Sequence, residues 1–152
     1  MKLENRCQVP ADLDSTWKLV TDVPRAAACV PGIKDVSADG ENRYRASLQA
    51  RVGPMGFTMS GTILVLEQDR DKAEARFQVD ASDRRLGGSI RAEMTVRLTA
   101  QPQGHTEMFI TTDTTFMGKL GEMGQSVIQR KARSTLEEFS RNLAKLFDAP
   151  TA

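Results

Sequence analysis

From Arg43 to Phe116 the chain changes character at every second residue. "RYRASLQARV" sets Tyr44, Ala46, Leu48, Ala50 and Val52 against Arg43, Arg45, Ser47, Gln49 and Arg51, the period of a strand with one buried face. After the turn "GPMG", the residues Phe57, Met59, Gly61, Ile63 and Val65 continue the inner face, with Leu64 and Leu66 blurring its far end. Beyond "DRD", Ala73, Ala75, Phe77, Val79 and Ala81 alternate with Glu74, Arg76, Gln78, Asp80 and Ser82. A register follows for the next hairpin. Pairing Ser82 with Ser89 across the loop from Asp83 to Gly88 brings Asp80 opposite Arg91, Glu74 opposite Arg97 and Phe77 opposite Met94, the pairings that cross-strand packing favours. A last strand runs from about His105 to Phe116, with Met108, Ile110 and Phe116 inward and Phe109 out of step.

The two ends complete the pattern. Leu3, Cys7 and Val9 alternate with Lys2, Glu4, Arg6 and Gln8, which predicts a half-buried first strand. Pro10 ends it, and "ADLDSTWKLVTD" offers Asp12, Asp14 and Ser15 as helix caps before Trp17 and Val20 at helical spacing. "RAAACV" adds a turn or two until Pro31 and Gly32 break it. At the other end, Leu120, Gly124, Val127, Ile128, Thr135, Leu136, Phe139, Leu143 and Leu146 recur by threes and fours. One long helix of roughly 28 residues would span about 42 Å, enough to cross a sheet. The predicted fold is therefore α+β. A curved antiparallel sheet of about six to seven strands wraps a long C-terminal helix, with one or two short helices after the first strand. A single domain over residues 1–148 and a short disordered end at 149–152 are expected.

Three glycines, Gly118, Gly121 and Gly124, open that helix, where each costs roughly 1 kcal/mol against alanine. On the sheet, Ala46, Ala50, Gly61, Ala73, Ala75, Ala81 and Ala92 keep the inner faces small as well. Either helix and sheet approach closely or a cavity separates them. The neighbours favour a cavity for something apolar, because Met55, Met59, Met94, Met108, Met117 and Met123 crowd this region and methionine adapts to apolar ligands. The candidate ligand-binding set is Tyr44, Phe57, Met59, Phe77, Met94, Met108, Phe116, Met117, Leu120, Gly121, Met123, Gly124 and Val127.

Charge narrows the partners. Lys plus Arg number 21 against 20 Asp plus Glu, which argues against a nucleic-acid binder. Cys7 and Cys29 lack metal-site spacing and His105 is the single histidine, so a closed zinc site is not expected. The charged, alternating start does not resemble a signal peptide, and no apolar run approaches the ~20 residues of a membrane span. A cytoplasmic protein with at most peripheral membrane contact is expected. The cluster Arg130, Lys131 and Arg133, with Lys119, Arg141 and Lys145, makes the last helix basic and could face anionic lipid or an acidic protein.

"CVPGIKDV", "YRASLQARVGPMGFTMSGTILVLEQD" and the glycine-punctuated "FMGKLGEMGQSVI" resemble the carbon monoxide dehydrogenase G-subunit family, within the START-like helix-grip (SRPBCC) superfamily. The resemblance spans nearly the whole chain. It implies a non-catalytic accessory protein of a molybdenum-containing carbon monoxide dehydrogenase or related molybdenum hydroxylase, associated with attaching that enzyme to the inner membrane surface. It also implies no tightly bound cofactor and a cavity able to carry a quinone, menaquinone or ubiquinone. Longer family members carry a C-terminal tail, whereas this chain stops at "DAPTA", which shifts the expectation toward a soluble carrier or assembly role.

The alternatives are a START-like cyclase or dehydratase acting on an aromatic or polyketide substrate, and a ligand-free assembly factor. For the enzyme, His105 sits in a turn, Tyr44 reads as a core residue with its hydroxyl at the cavity edge, and Asp113 reads as a solvated strand residue. Cys29 reads as a small buried apolar residue. No paired base, nucleophile or oxyanion site emerges.

Overall fold

The structure, a computed structural model, describes residues 1–147; the expected disordered end at 149–152 lies outside them. Seven antiparallel strands form one sheet: β1 (Lys2–Val9), β2 (Ile33–Ala38), β3 (Arg43–Val52), β4 (Met55–Asp69), β5 (Glu74–Asp83), β6 (Gly88–Gln101) and β7 (His105–Met117). Their spatial order is β1-β7-β6-β5-β4-β3-β2, a meander whose first strand returns to pair with its last. Two short helices, α1 (Leu13–Val20) and α2 (Val23–Ala27), follow β1. Asp12 caps α1 by accepting a bond from the Ser15 N–H at 2.8 Å, and Asp22 precedes α2, where Pro24 falls in the first turn.

The hairpin of β5 and β6 has the register that its side chains predict: Ser82 pairs with Ser89, Asp80 with Arg91, Phe77 with Met94 and Glu74 with Arg97. Arg91 donates to Asp80 at 2.8 Å and Arg97 to Glu74 at 3.0 Å. On β7 the inward parity runs unbroken through Thr106, Met108, Ile110, Thr112, Thr114 and Phe116. Phe109 simply points outward, where the Arg6 guanidinium covers its ring at 4.0 Å. Leu66 falls at a register shift between Val65 and Glu67 and is 41% exposed. A bulge explains the blurred alternation there.

The C-terminal segment departs from the single long helix. After a short α3 (Gly118–Gly121) the chain breaks, and α4 starts only at Gln125 and runs to Lys145, about 32 Å for its 21 residues. Gly118 and Gly124 have φ of +65° and +93°, conformations that interrupt a helix rather than lie inside one. A Cβ on Gly118 would sit 1.8 Å from the Gly87 carbonyl oxygen. These glycines therefore steer β7 into α4 instead of clearing a helix face.

The half of α4 beyond Ala132 is fixed to the sheet. Leu136, Phe139 and Leu143 enter the main apolar core, each burial worth roughly 1.5–3 kcal/mol. Ser140 donates to Asn5 Oδ1 of β1 at 2.7 Å, and Asn142 donates to the Cys29 carbonyl at 2.9 Å. A second cluster, built on Val52, Phe57, Met59 and Leu120, closes the end of the molecule around α3.

Candidate functional site

Between α4 and the concave face of the sheet lies a cavity of about 630 Å³, within the range of small-molecule sites. The sheet supplies its floor, because strand parity sends Ala46, Ala50, Gly61, Ala81 and Ala92 inward together with Met94 and Phe116. The alanines leave space that larger side chains would fill, whereas Gly61 is small because a Cβ there would collide with the Asp80 carbonyl and Ala81 of β5. The roof comes from Ile128, Ala132 and Leu136 of α4, and one wall from Val23 and Ala27 of α2 with Pro31 and Gly32. The turn at Gly32 is held to β3 by the Gln49 N–H, which donates to the Gly32 carbonyl at 2.9 Å.

Of the candidate ligand-binding residues, Met59, Phe77, Met94, Met108, Phe116 and Leu120 line this cavity. Seven others are placed elsewhere. Phe57 is buried in the second cluster, against which Met123 and Val127 pack. They plug the end of the cavity rather than face it. Tyr44 is half-buried against the main core, opposite Ile63. Met117 is 43% exposed, since its parity on β7 is outward. Gly121 lies against the Phe116 carbonyl oxygen, 2.8 Å from where its Cβ would be, and Gly124 meets nothing within 4 Å. The glycines thus belong to the backbone path into α4 and not to the ligand space.

The sequence pattern missed α2, the Pro31-Gly32 turn and the polar part of the lining, Thr112 and Thr114 of β7 among it. A signal for the threonines is present: they continue the Met108, Ile110 alternation.

The charged chemistry of the cavity is sparse. Its lining holds no Asp, Glu, His, Cys or Tyr among the described residues; the ionisable side chains are Lys131 and Arg51. The Arg51 guanidinium lies beside Gly56, its partner on β4, so this side chain follows the outer face. Lys131 is exposed at the rim. His105 and Asp113 stand apart: His105 is exposed, and Asp113 lies on the outer face, 3.7 Å from the N-terminal ammonium. Burial pushes the Cys29 thiol up, partly offset by Arg25, and burial likewise raises Cys7. Neither is a ready nucleophile. No group of three or more His, Cys, Asp or Glu among the described residues is placed to hold a metal ion, and no helix there is long and apolar enough to cross a membrane.

A carbon-lined cavity under a C-terminal helix, gripped by a seven-stranded meander, is the helix-grip architecture. The family model for CoxG, the G subunit of carbon monoxide dehydrogenase, matches residues 6–147. The chain belongs to that family. Among curated proteins no significant match was found. Among solved structures, this CoxG family member is similar to a conserved protein from Geobacillus kaustophilus, with a TM-score of 0.85 and 19% identity over 96% of this chain and 94% of the other. It is also similar to a START superfamily protein from Mycobacterium smegmatis, with a TM-score of 0.72 and 12% identity over 99% of each chain. An aromatase/cyclase from a Streptomyces species aligns with a TM-score of 0.62 and 14% identity over 100% of this chain and 99% of the other. At these identities the likeness carries the fold alone: a START-like helix-grip protein.

Proposed function

We propose that this CoxG family member is a non-catalytic carrier. It holds an apolar quinone-like molecule, menaquinone or ubiquinone, between sheet and α4. It serves a molybdenum-containing carbon monoxide dehydrogenase or a related molybdenum hydroxylase, helping to couple that enzyme to the membrane. The observation that carries this reading is a cavity of about 630 Å³ whose lining, among the described residues, includes no carboxylate, imidazole, thiol or phenol. Such a space suits an apolar ring or chain, since burying one there removes hydrocarbon surface from water at about 25 cal/mol per Å². It offers little for acid–base or nucleophilic catalysis. The family name supports the partnership with the dehydrogenase.

The likeness to the aromatase/cyclase favours a second reading, an enzyme acting on an aromatic or polyketide substrate. In that case Lys131 is the ionisable group at hand. Mass analysis of small molecules released from protein purified from its native host separates the two. A stoichiometric quinone supports the carrier. A polyketide or aromatic acid converted on incubation supports the enzyme.

A further inference from the structure

Thr112 and Thr114 of the cavity differ from Thr135, which also lines it but donates to the Lys131 carbonyl at 2.8 Å, and from the buried threonines outside it. Thr16 donates to the Asp12 carbonyl and Thr106 to the Ala11 carbonyl, each at 2.8 Å. Among the described residues, the hydroxyls of Thr112 and Thr114 have no such hydrogen bond, yet no buried side-chain nitrogen or oxygen there lacks a partner. The two hydroxyls therefore face accessible space, and the space these residues line is the cavity. Valine has the same shape and avoids the cost of holding a hydroxyl in apolar surroundings without a fixed partner. Their parity is shared with Met108, Ile110 and Phe116, and Thr112 and Thr114 sit opposite Met94 and Ala92 of β6. Two residues apart on one strand, the hydroxyls are about 7 Å from each other.

We infer that Thr112 and Thr114 form the polar-recognition subsite of the cavity, donating hydrogen bonds to oxygen atoms on an otherwise apolar ring. The ligand class is then a compact oxygenated ring, such as a quinone, and not a plain hydrocarbon. A site with hydrogen-bonding groups discriminates against an analogue that cannot use them, because those groups are then desolvated without compensation. This inference rests on the carrier reading and adds to it the feature by which the cavity tells its ligand from lipid hydrocarbon.

The test is calorimetric titration of 2-methyl-1,4-naphthoquinone and of 2-methylnaphthalene into the wild type, Thr112→Val and Thr114→Val. The wild type should bind the quinone more tightly. Each valine variant should lose roughly three- to tenfold in quinone affinity, hold or gain affinity for the hydrocarbon, and melt no lower than wild type. Equal quinone binding by all three proteins overturns the subsite, as does a valine variant that loses both ligands equally. Binding of neither compound by the wild type defeats the carrier reading, and the subsite with it. Hydrocarbon binding without a quinone preference defeats the subsite alone. Should a valine variant fold poorly, Thr112→Ser and Thr114→Ser, which keep the hydroxyl, must retain the preference.

Discussion

Ser140 and Asn5 are 135 positions apart and joined by a 2.7 Å hydrogen bond, the hydroxyl donating to the amide oxygen. This bond fastens the last helix to the first strand beside a fully buried Leu143. Phe139 and Leu143 beside it still line the cavity, whereas Ser140 turns to β1 and is not part of the lining.

Ser140→Ala should therefore destabilise the fold by about 1–2 kcal/mol, read by urea denaturation, while leaving ligand affinity unchanged. The Ser140 hydroxyl also counters the effect of burial on the Cys7 thiol. The same variant should raise that thiol's pKa further and slow its reaction with a disulfide reagent at fixed pH.

Much of the sheet is legible in the sequence because its information is local and alternating. Glu74 with Arg97 and Asp80 with Arg91 announce a register, and a slip of one residue would put Phe77 outside. Positive φ has no such signature. Leu120, Gly124 and Val127 keep a helical spacing, so periodicity alone runs the helix through a break at Gly124. Half of the cavity lining follows from strand parity. The rest depends on which inward residues meet one another across the fold, as Phe57 meets Leu120 in the second cluster.

Gly124→Ala tests the break itself. Nothing lies within 4 Å of the added methyl, but φ is +93° and ψ is 136°. The variant should lose about 1–3 kcal/mol from backbone strain. A neutral or stabilising effect would mean the chain runs helically through this point.

Asp83 accepts backbone N–H bonds from Thr58, Arg85 and Leu86, which hold its carboxyl below the ordinary carboxylate range. Its folded pKa is depressed, so its contribution is present above about pH 4, the unfolded value. That contribution is lost as pH falls through the folded pKa. Asp83→Asn should be less stable at pH 7 and should show a shallower loss of stability in acid. Parallel acid curves for variant and wild type would contradict this.

Arg130, Lys131 and Arg133 are exposed and have no ion pair among the described residues. Association with vesicles should need anionic lipid and should vanish near 1 M salt, where the screening length falls to about 3 Å. Reversing these charges should abolish it. Binding to neutral lipid that survives high salt would point to another contact.

The most direct measurement of whether the cavity is a ligand site is quinone uptake by Ala92→Phe. Ala92 is an inward residue of β6 that lines the floor, opposite Val79 and Thr114. If the space is open to a ligand, the phenyl ring fills it. Titration with a short-chain naphthoquinone should then show at least tenfold weaker binding, with a melting temperature close to wild type. If the space is closed by packing, the same substitution should cost about 1–3 kcal/mol in overpacking strain. A lowered melt in a protein whose wild type takes up no quinone would contradict the carrier.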